Sequence, residues 1–146
     1  MNAPLSVRRA TETMLARRAF LSRSPFVNKL VVHGSRKWLI TELDKLTSIF
    51  VRRRDYKCVT CGAVQGLQCS HFYSCRYLTI RFDLRNCNLM CGTCNKRHNY
   101  EPLPYLTYML SKYGPDIVEE LQAQRMSSHK VTEEELRRRL EQYRSM

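Results

Sequence analysis

Two CxxC pairs constrain this chain more than any other feature. Cys58 and Cys61 are followed by Cys91 and Cys94, with the 29 residues 62 to 90 between the pairs. Each pair turns two thiolates toward one point, and four sulfurs complete a tetrahedron that leaves no open position. The expectation is a structural Zn²⁺ that staples a small domain, not a catalytic zinc. Seven cysteines in all is an odd number, and no secretory apolar segment precedes them. A disulfide framework therefore fits poorly and a reducing compartment fits better. Cys69, Cys75 and Cys87 are left over and read as small, half-buried side chains.

The 146 residues suffice for one compact domain with appendages. A formal net charge of +12 makes the surface attractive to polyanions. Nucleic acid is the expected partner, although charge alone names no chemistry. No stretch is apolar for the roughly 18 residues that a membrane span requires. From Met1 to Ile40 the basic residues Arg8, Arg9, Arg17, Arg18, Arg23, Lys29, Arg36 and Lys37 face one acid, Glu12. That composition suits either a basic arm along a phosphate backbone or an organellar transit peptide.

Helical spacing of Leu39, Leu43, Leu46, Ile49 and Phe50 predicts a helix that starts near Thr41, with Asp44 three residues after the cap. Arg52, Arg53 and Arg54 close it, either facing phosphate or satisfying the helix dipole. Short β-type runs follow to Met90, Tyr77 to Phe82 among them, broken by Gly62 and Gly66. Pro104 opens a helix that Gly114-Pro115 stops. A short helix is expected over 116–124, then a polar linker over 125–130. Thr132 and Glu135 form a capping box for a last helix, with Glu134–Arg138 and Glu135–Arg139 as i,i+4 pairs. Its narrow apolar face of Leu136, Leu140 and Tyr143 docks on its own domain or on a second copy of the chain. Docking is the preferred reading.

His71 follows Ser70 at the end of the first expected strand, Asn86 stands five residues before Cys91, and Asn95 directly follows Cys94 where a helix begins. A histidine between zinc knuckles with asparagines at these offsets resembles the HNH nuclease layout. The likeness then narrows. Cys-Val-Thr-Cys-Gly, Ser70-His71-Phe72, Arg76, Arg81-Phe82-Asp83, Asn86 and Cys-Gly-Thr-Cys-Asn resemble the NinG (Rap) family of lambdoid phages, and Tyr105, Leu110, Tyr113-Gly114 and 118–121 continue the match over roughly residues 42–122. A more distant likeness is to phage endonuclease VII, a junction resolvase with similar knuckles.

The resemblance implies a metal-dependent DNA endonuclease in phage recombination, acting on branched DNA and leaving 5′ phosphate and 3′ hydroxyl ends. Neutral His71 is then the general base, Asn86 braces the loop that orients it, and Asn95 holds a catalytic Mg²⁺ or Mn²⁺. Ser70 stands where many HNH sites carry an acidic or histidine ligand. Mg²⁺ normally needs a carboxylate, which Asp83 or Glu101 would supply if the fold brought either close. His98 and Asn99 lie one turn beyond Asn95. Arg76, Arg81, Arg85, Lys96 and Arg97 read as DNA contacts against a single acid, Asp83, with Arg76 and Arg81 as phosphate clamps. The rings of Tyr73, Tyr77, His98 and Tyr100 either stack on bases or pack in the core.

The fold class expected is α+β: a zinc-bound ββα-metal, treble-clef-like core with flanking helices. Residues 1–40 form the basic arm, 41–126 the zinc domain and 127–146 the C-terminal helix. A homodimer follows by analogy with enzymes that cut two strands symmetrically. The expected location is the cytoplasm of an infected bacterial host, or an organellar matrix if the N-terminus is a transit peptide. Two competing functions remain. One is a zinc-dependent module that binds DNA or RNA without cutting, and the other is an interaction protein that recruits a partner through its last helix.

Overall fold

A computed structural model describes residues 33–146. Leu39–Met146 form one compact unit. Most of the basic arm expected over 1–40 lies outside the described residues, and 36–40 are already helical.

Helix α1 (Arg36–Asp55) begins at Arg36 and not near Thr41. Ser35 caps it, its Oγ accepting from the Trp38 N–H at 3.3 Å, which supplies a partner for an otherwise orphaned donor. Leu39, Leu43, Thr47, Val51 and Asp55 recur every fourth residue and are buried. Ile49, read from spacing as part of the apolar stripe, is exposed.

The first knuckle follows. The Cys58 N–H donates to the Ala63 carbonyl at 2.8 Å and the Gly62 N–H to the Cys58 carbonyl at 2.9 Å, folding the chain back on itself. This closure puts Gly62 at φ +75°, where any Cβ is strained. Strand β1 (Leu67–His71) then pairs antiparallel with β2 (Cys87–Cys91), with Leu67 opposite Cys91 and His71 opposite Cys87. Helix α2 (Gly92–Arg97) starts directly from β2, with the Cys91 Sγ accepting from the Cys94 N–H.

Residues 77–82, expected as a β-type run, form successive turns. Tyr77 N–H donates to Ser74, Ile80 N–H to Tyr77, and Asp83 N–H to Ile80. These local bonds, with the Asn86 side chain on the Ile80 carbonyl, occupy backbone groups that a ladder would need. Ile80 and Phe82 anchor the loop as fully buried side chains.

Helix α3 (Leu103–Tyr113) carries Pro104 in its first turn and stops at Gly114, whose φ of 94° no β-branched residue tolerates. Helix α4 (Ile117–Met126) runs two residues past the expected 116–124 and takes in Arg125, placed from sequence in the linker. Ile80, Met90, Tyr105, Met109, Ile117 and Leu121 join Cys58 and Cys94 in one core. Full burial of an aliphatic side chain of this size contributes about 1.5–3 kcal/mol.

Helix α5 (Glu133–Ser145) forms the capping box expected of Thr132 and Glu135. It docks on its own domain. Leu136 and Leu140 are buried, the Tyr143 ring meets Phe50 edge-on at 5.5 Å, and the Tyr143 hydroxyl donates to the Phe82 carbonyl. Of the two expected i,i+4 pairs, Glu134–Arg138 forms at 3.5 Å. Glu135 is taken instead by Thr132 and by His129 at 2.9 Å.

Candidate metal centre and basic cleft

The ligand atoms of Cys58, Cys61, Cys91 and Cys94 all lie within 4.8 Å of one another. Two knuckles create this cluster: a turn after α1 supplies one pair, and the β2–α2 junction supplies the other. A tetrahedron with Zn–S bonds of about 2.3 Å has edges of about 3.8 Å. Cys61 and Cys91 stand 3.8 Å apart, sulfur to sulfur. Four soft thiolates in that arrangement suit zinc better than a hard cation. Burial pushes the Cys58 thiol up, but hydrogen bonds from Thr60 and from the backbone N–H groups of Cys91, Cys61 and Thr60 outweigh it and bring the pKa down to about 6. The cluster thus favours at least one thiolate near neutral pH, the form a metal binds.

A cleft of about 680 Å³ opens between the end of β1, the loop after it, α2 and α4. His71, Asn95, Arg76, Lys96, Asn99 and Arg125 line it, with aromatic walls from Phe72, Tyr73 and Tyr77.

His71 holds its Nε2 2.9 Å from the Arg81 carbonyl. A carbonyl only accepts, so Nε2 carries the proton and Nδ1 keeps its lone pair. Burial lowers the His71 pKa; the Arg81 carbonyl opposes this, the Arg81 guanidinium adds to it and Asp44 offsets it. The ring is neutral at pH 7.

Asn86 is fully buried and ties the loop at three points. Its Oδ1 accepts from the Tyr73 N–H at 2.8 Å, and its Nδ2 donates to the carbonyls of Tyr73 at 3.0 Å and Ile80 at 3.1 Å. The Phe72 N–H also donates to the Asn86 carbonyl. This arrangement fixes the segment on both sides of the carbonyl that holds His71. Asn95 donates from Nδ2 to Gln68 Oε1 at 3.1 Å. His98 donates from Nε2 to the Phe72 carbonyl at 2.9 Å and leaves a buried Nδ1 with no partner.

The five basic residues read from sequence as DNA contacts separate into two groups. Arg76 and Lys96 line the cleft and carry no ion pair among the described residues. Arg81, Arg85 and Arg97 do not line it. Arg81 makes a bidentate pair with Asp44 at 2.8 and 2.9 Å, tying the loop to α1. Arg85 holds Asp83 at 2.9 Å and Glu120 at 2.6 Å, and Arg97 pairs with Glu101 at 3.5 Å. Arg81 and Arg85 therefore act as internal ties, because Asp44 and Glu120, distant in sequence, reach their guanidinium groups, while Arg97 is engaged locally by the i,i+4 carboxylate of Glu101. Arg54 is a further tie, bonded to Asp55, to the carbonyls of Leu84 and Cys87, and to Asn88.

The same pairing decides the carboxylate question. Asp83 is spent on Arg85 and Glu101 on Arg97, and no Asp or Glu among the described residues lines the cleft. The donors beside His71 are neutral, which does not fit a resident Mg²⁺ or Mn²⁺. Arg125 is the cleft residue that sequence reasoning missed. Its signal was faint, because it was read as linker just beyond a helix of weak amphipathicity. Of the leftover cysteines, Cys75 is exposed, Cys69 partly buried and Cys87 fully buried.

The fold and site define a small α+β protein built on a two-stranded hairpin, with four cysteines positioned to bind a metal ion and a basic, histidine-bearing cleft. The profile described as "Bacteriophage Lambda NinG protein" matches residues 3–146, and the chain belongs to the NinG family. It is similar to "Protein ninG" of Escherichia phage 933W, 27% identical over 116 residues that make up 76% of this chain and 57% of that protein. Against "Protein ninG" of Escherichia phage lambda it is 26% identical over 114 residues, 75% of this chain and 55% of the relative. Against that of Salmonella phage P22 it is 26% identical over 113 residues, 74% and 55%. The chain thus spans a little over half the length of these relatives. No solved structure matches it. No helix among the described residues is long and apolar enough to cross a membrane.

Proposed function

We propose that this chain is an HNH-type DNA endonuclease that cuts branched or recombination-intermediate DNA by phosphodiester hydrolysis, with His71 as general base. The observation that carries this reading is the geometry of His71, anchored through Nε2 to the Arg81 carbonyl and lining a cleft whose cations pair with no carboxylate among the described residues. The strand–strand–helix order of β1, β2 and α2 beside four clustered cysteines suits a ββα-metal core.

In this mechanism Nδ1 of His71 takes a proton from water as the water oxygen attacks phosphorus. The P–O3′ bond breaks, and its electron pair leaves with the 3′ oxygen. Asn86 keeps the histidine loop in place, and Arg76 and Lys96 offset the negative charge of the phosphate. Asn95 borders the same space. A divalent ion would supply charge neutralisation at the leaving oxygen, but the neutral donors of the cleft do not hold one by themselves. The expected setting is the cytoplasm of an infected host.

A cleft that no carboxylate among the described residues lines also favours a second reading, a metal-held module that binds DNA without cutting it. Cleavage of labelled four-way junction, flap and duplex, with Mg²⁺, Mn²⁺ or EDTA, separates the two. Metal-dependent cutting that disappears in His71→Ala supports the nuclease. Salt-sensitive binding without cutting under any metal leaves the binding module, and cutting unchanged in His71→Ala rules out the mechanism.

A further inference from the structure

Most arginines near the hairpin are already engaged: Arg54, Arg81, Arg85 and Arg97 each pair with a carboxylate. Arg125 is different. Its guanidinium carbon lies 4.6 Å from the ring centre of Tyr73 and 5.2 Å from that of Tyr77. Stacking satisfies the faces of a guanidinium but none of its N–H donors, which point outward in its plane. No acceptor among the described residues meets them, and the Nε is buried without a partner. The Nη donors of this permanently charged group are left for a ligand to meet.

The support of this residue is built. Tyr73 leaves the histidine loop with its N–H on Asn86 Oδ1, and its hydroxyl reaches the Val118 carbonyl of α4 at 3.5 Å. The loop that positions His71 and the helix that carries Arg125 are thus joined through one tyrosine. Arg125 lines the same cleft as His71, Arg76 and Lys96.

We propose that Arg125 is a phosphodiester-binding residue of this cleft, aimed by Tyr73 and Tyr77 so that its two Nη groups grip one backbone phosphate of the substrate strand end-on. This rests on the reading that DNA enters the cleft, but not on its being cut there. The planar fork matches two phosphate oxygens, which a lysine ammonium does not.

The test uses the full chain with its metal bound and follows binding of fluorescent four-way junction and duplex by anisotropy across a salt series, with Ca²⁺ in place of the catalytic metals. Arg125→Gln is expected to weaken binding about tenfold at low salt and to make the slope of log K against log salt shallower by about one unit. Arg125→Lys is expected to keep the slope and lose part of the affinity. Thermal midpoints of the variants separate contact from packing. A lowered midpoint with an unchanged salt slope in both variants overturns the proposal, as does the absence of salt-dependent binding by the parent protein. Loss of cutting in His71→Ala, or no cutting at all, bears on the nuclease reading and leaves this readout unaffected.

Discussion

His71 and Arg81 are joined through the main chain of one and the side chain of the other: the imidazole Nε2 donates to the Arg81 carbonyl at 2.9 Å. The Arg81 side chain meanwhile pairs with Asp44 of α1. The orientation of the histidine is therefore set by a loop that a helix distant in sequence holds in place.

That geometry gives a pH dependence. Burial holds the His71 pKa below its ordinary 6.5, so the acid limb of any cleavage profile falls below that value. The sign for stability is the same. Between the folded pKa and 6.5 the unfolded chain binds the extra proton, so this contribution is complete above 6.5 and is lost as pH falls toward the folded value. An NMR titration of the ring measures the pKa, and a value above 6.5 contradicts the burial argument.

Asn86→Ala removes three hydrogen bonds from a fully buried site. Leaving such groups unpaired costs about 1–3 kcal/mol. Chemical denaturation should record that loss. Cleavage should fall about 10²–10⁴-fold, the range expected when a general base is lost, while DNA affinity in Ca²⁺ changes little. A variant that cuts normally shows that the loop needs no such brace.

Metal removal should unfold the hairpin region. Structural zinc sites bind with apparent energies of about 10–16 kcal/mol near neutral pH, and a site absent from the unfolded chain adds that energy to folding. One zinc per chain by elemental analysis, loss of circular dichroism on chelation and loss of zinc in Cys94→Ser are the expected results. Retention of the fold after complete chelation removes the structural role.

Deleting residues 131–146 takes away Leu136 and Leu140, worth about 1.5–3 kcal/mol each by burial, together with the Tyr143 contacts to Phe50 and Phe82. The thermal midpoint should fall by several degrees, with DNA binding retained at low temperature. Loss of a bound partner at unchanged stability would instead favour the recruiting role for this helix.

Much of the fold was legible because its signals are local. The CxxC spacing announces the metal centre, since two residues between thiolates are what a knuckle turn requires. Thr132 and Glu135 announce the last helix, and Gly114-Pro115 the end of α3, because caps and breakers act within one turn. The helix at Arg36 was misplaced because a threonine resembles a cap wherever it stands. The run 77–82 was misread because β-type residues were captured by turns and by Asn86.

The sequence by itself determined the four-cysteine cluster and the family. Only the tertiary structure decided which charges are available. Arg81 and Arg85 look like Arg76 in sequence, but Asp44 and Glu120 reach them across the fold. The fold also keeps Asp83 and Glu101 off the cleft lining and leaves Arg125 stacked on Tyr73 inside it. Coulomb attraction depends on distance in space, and long-range pairing has no local signature along the chain.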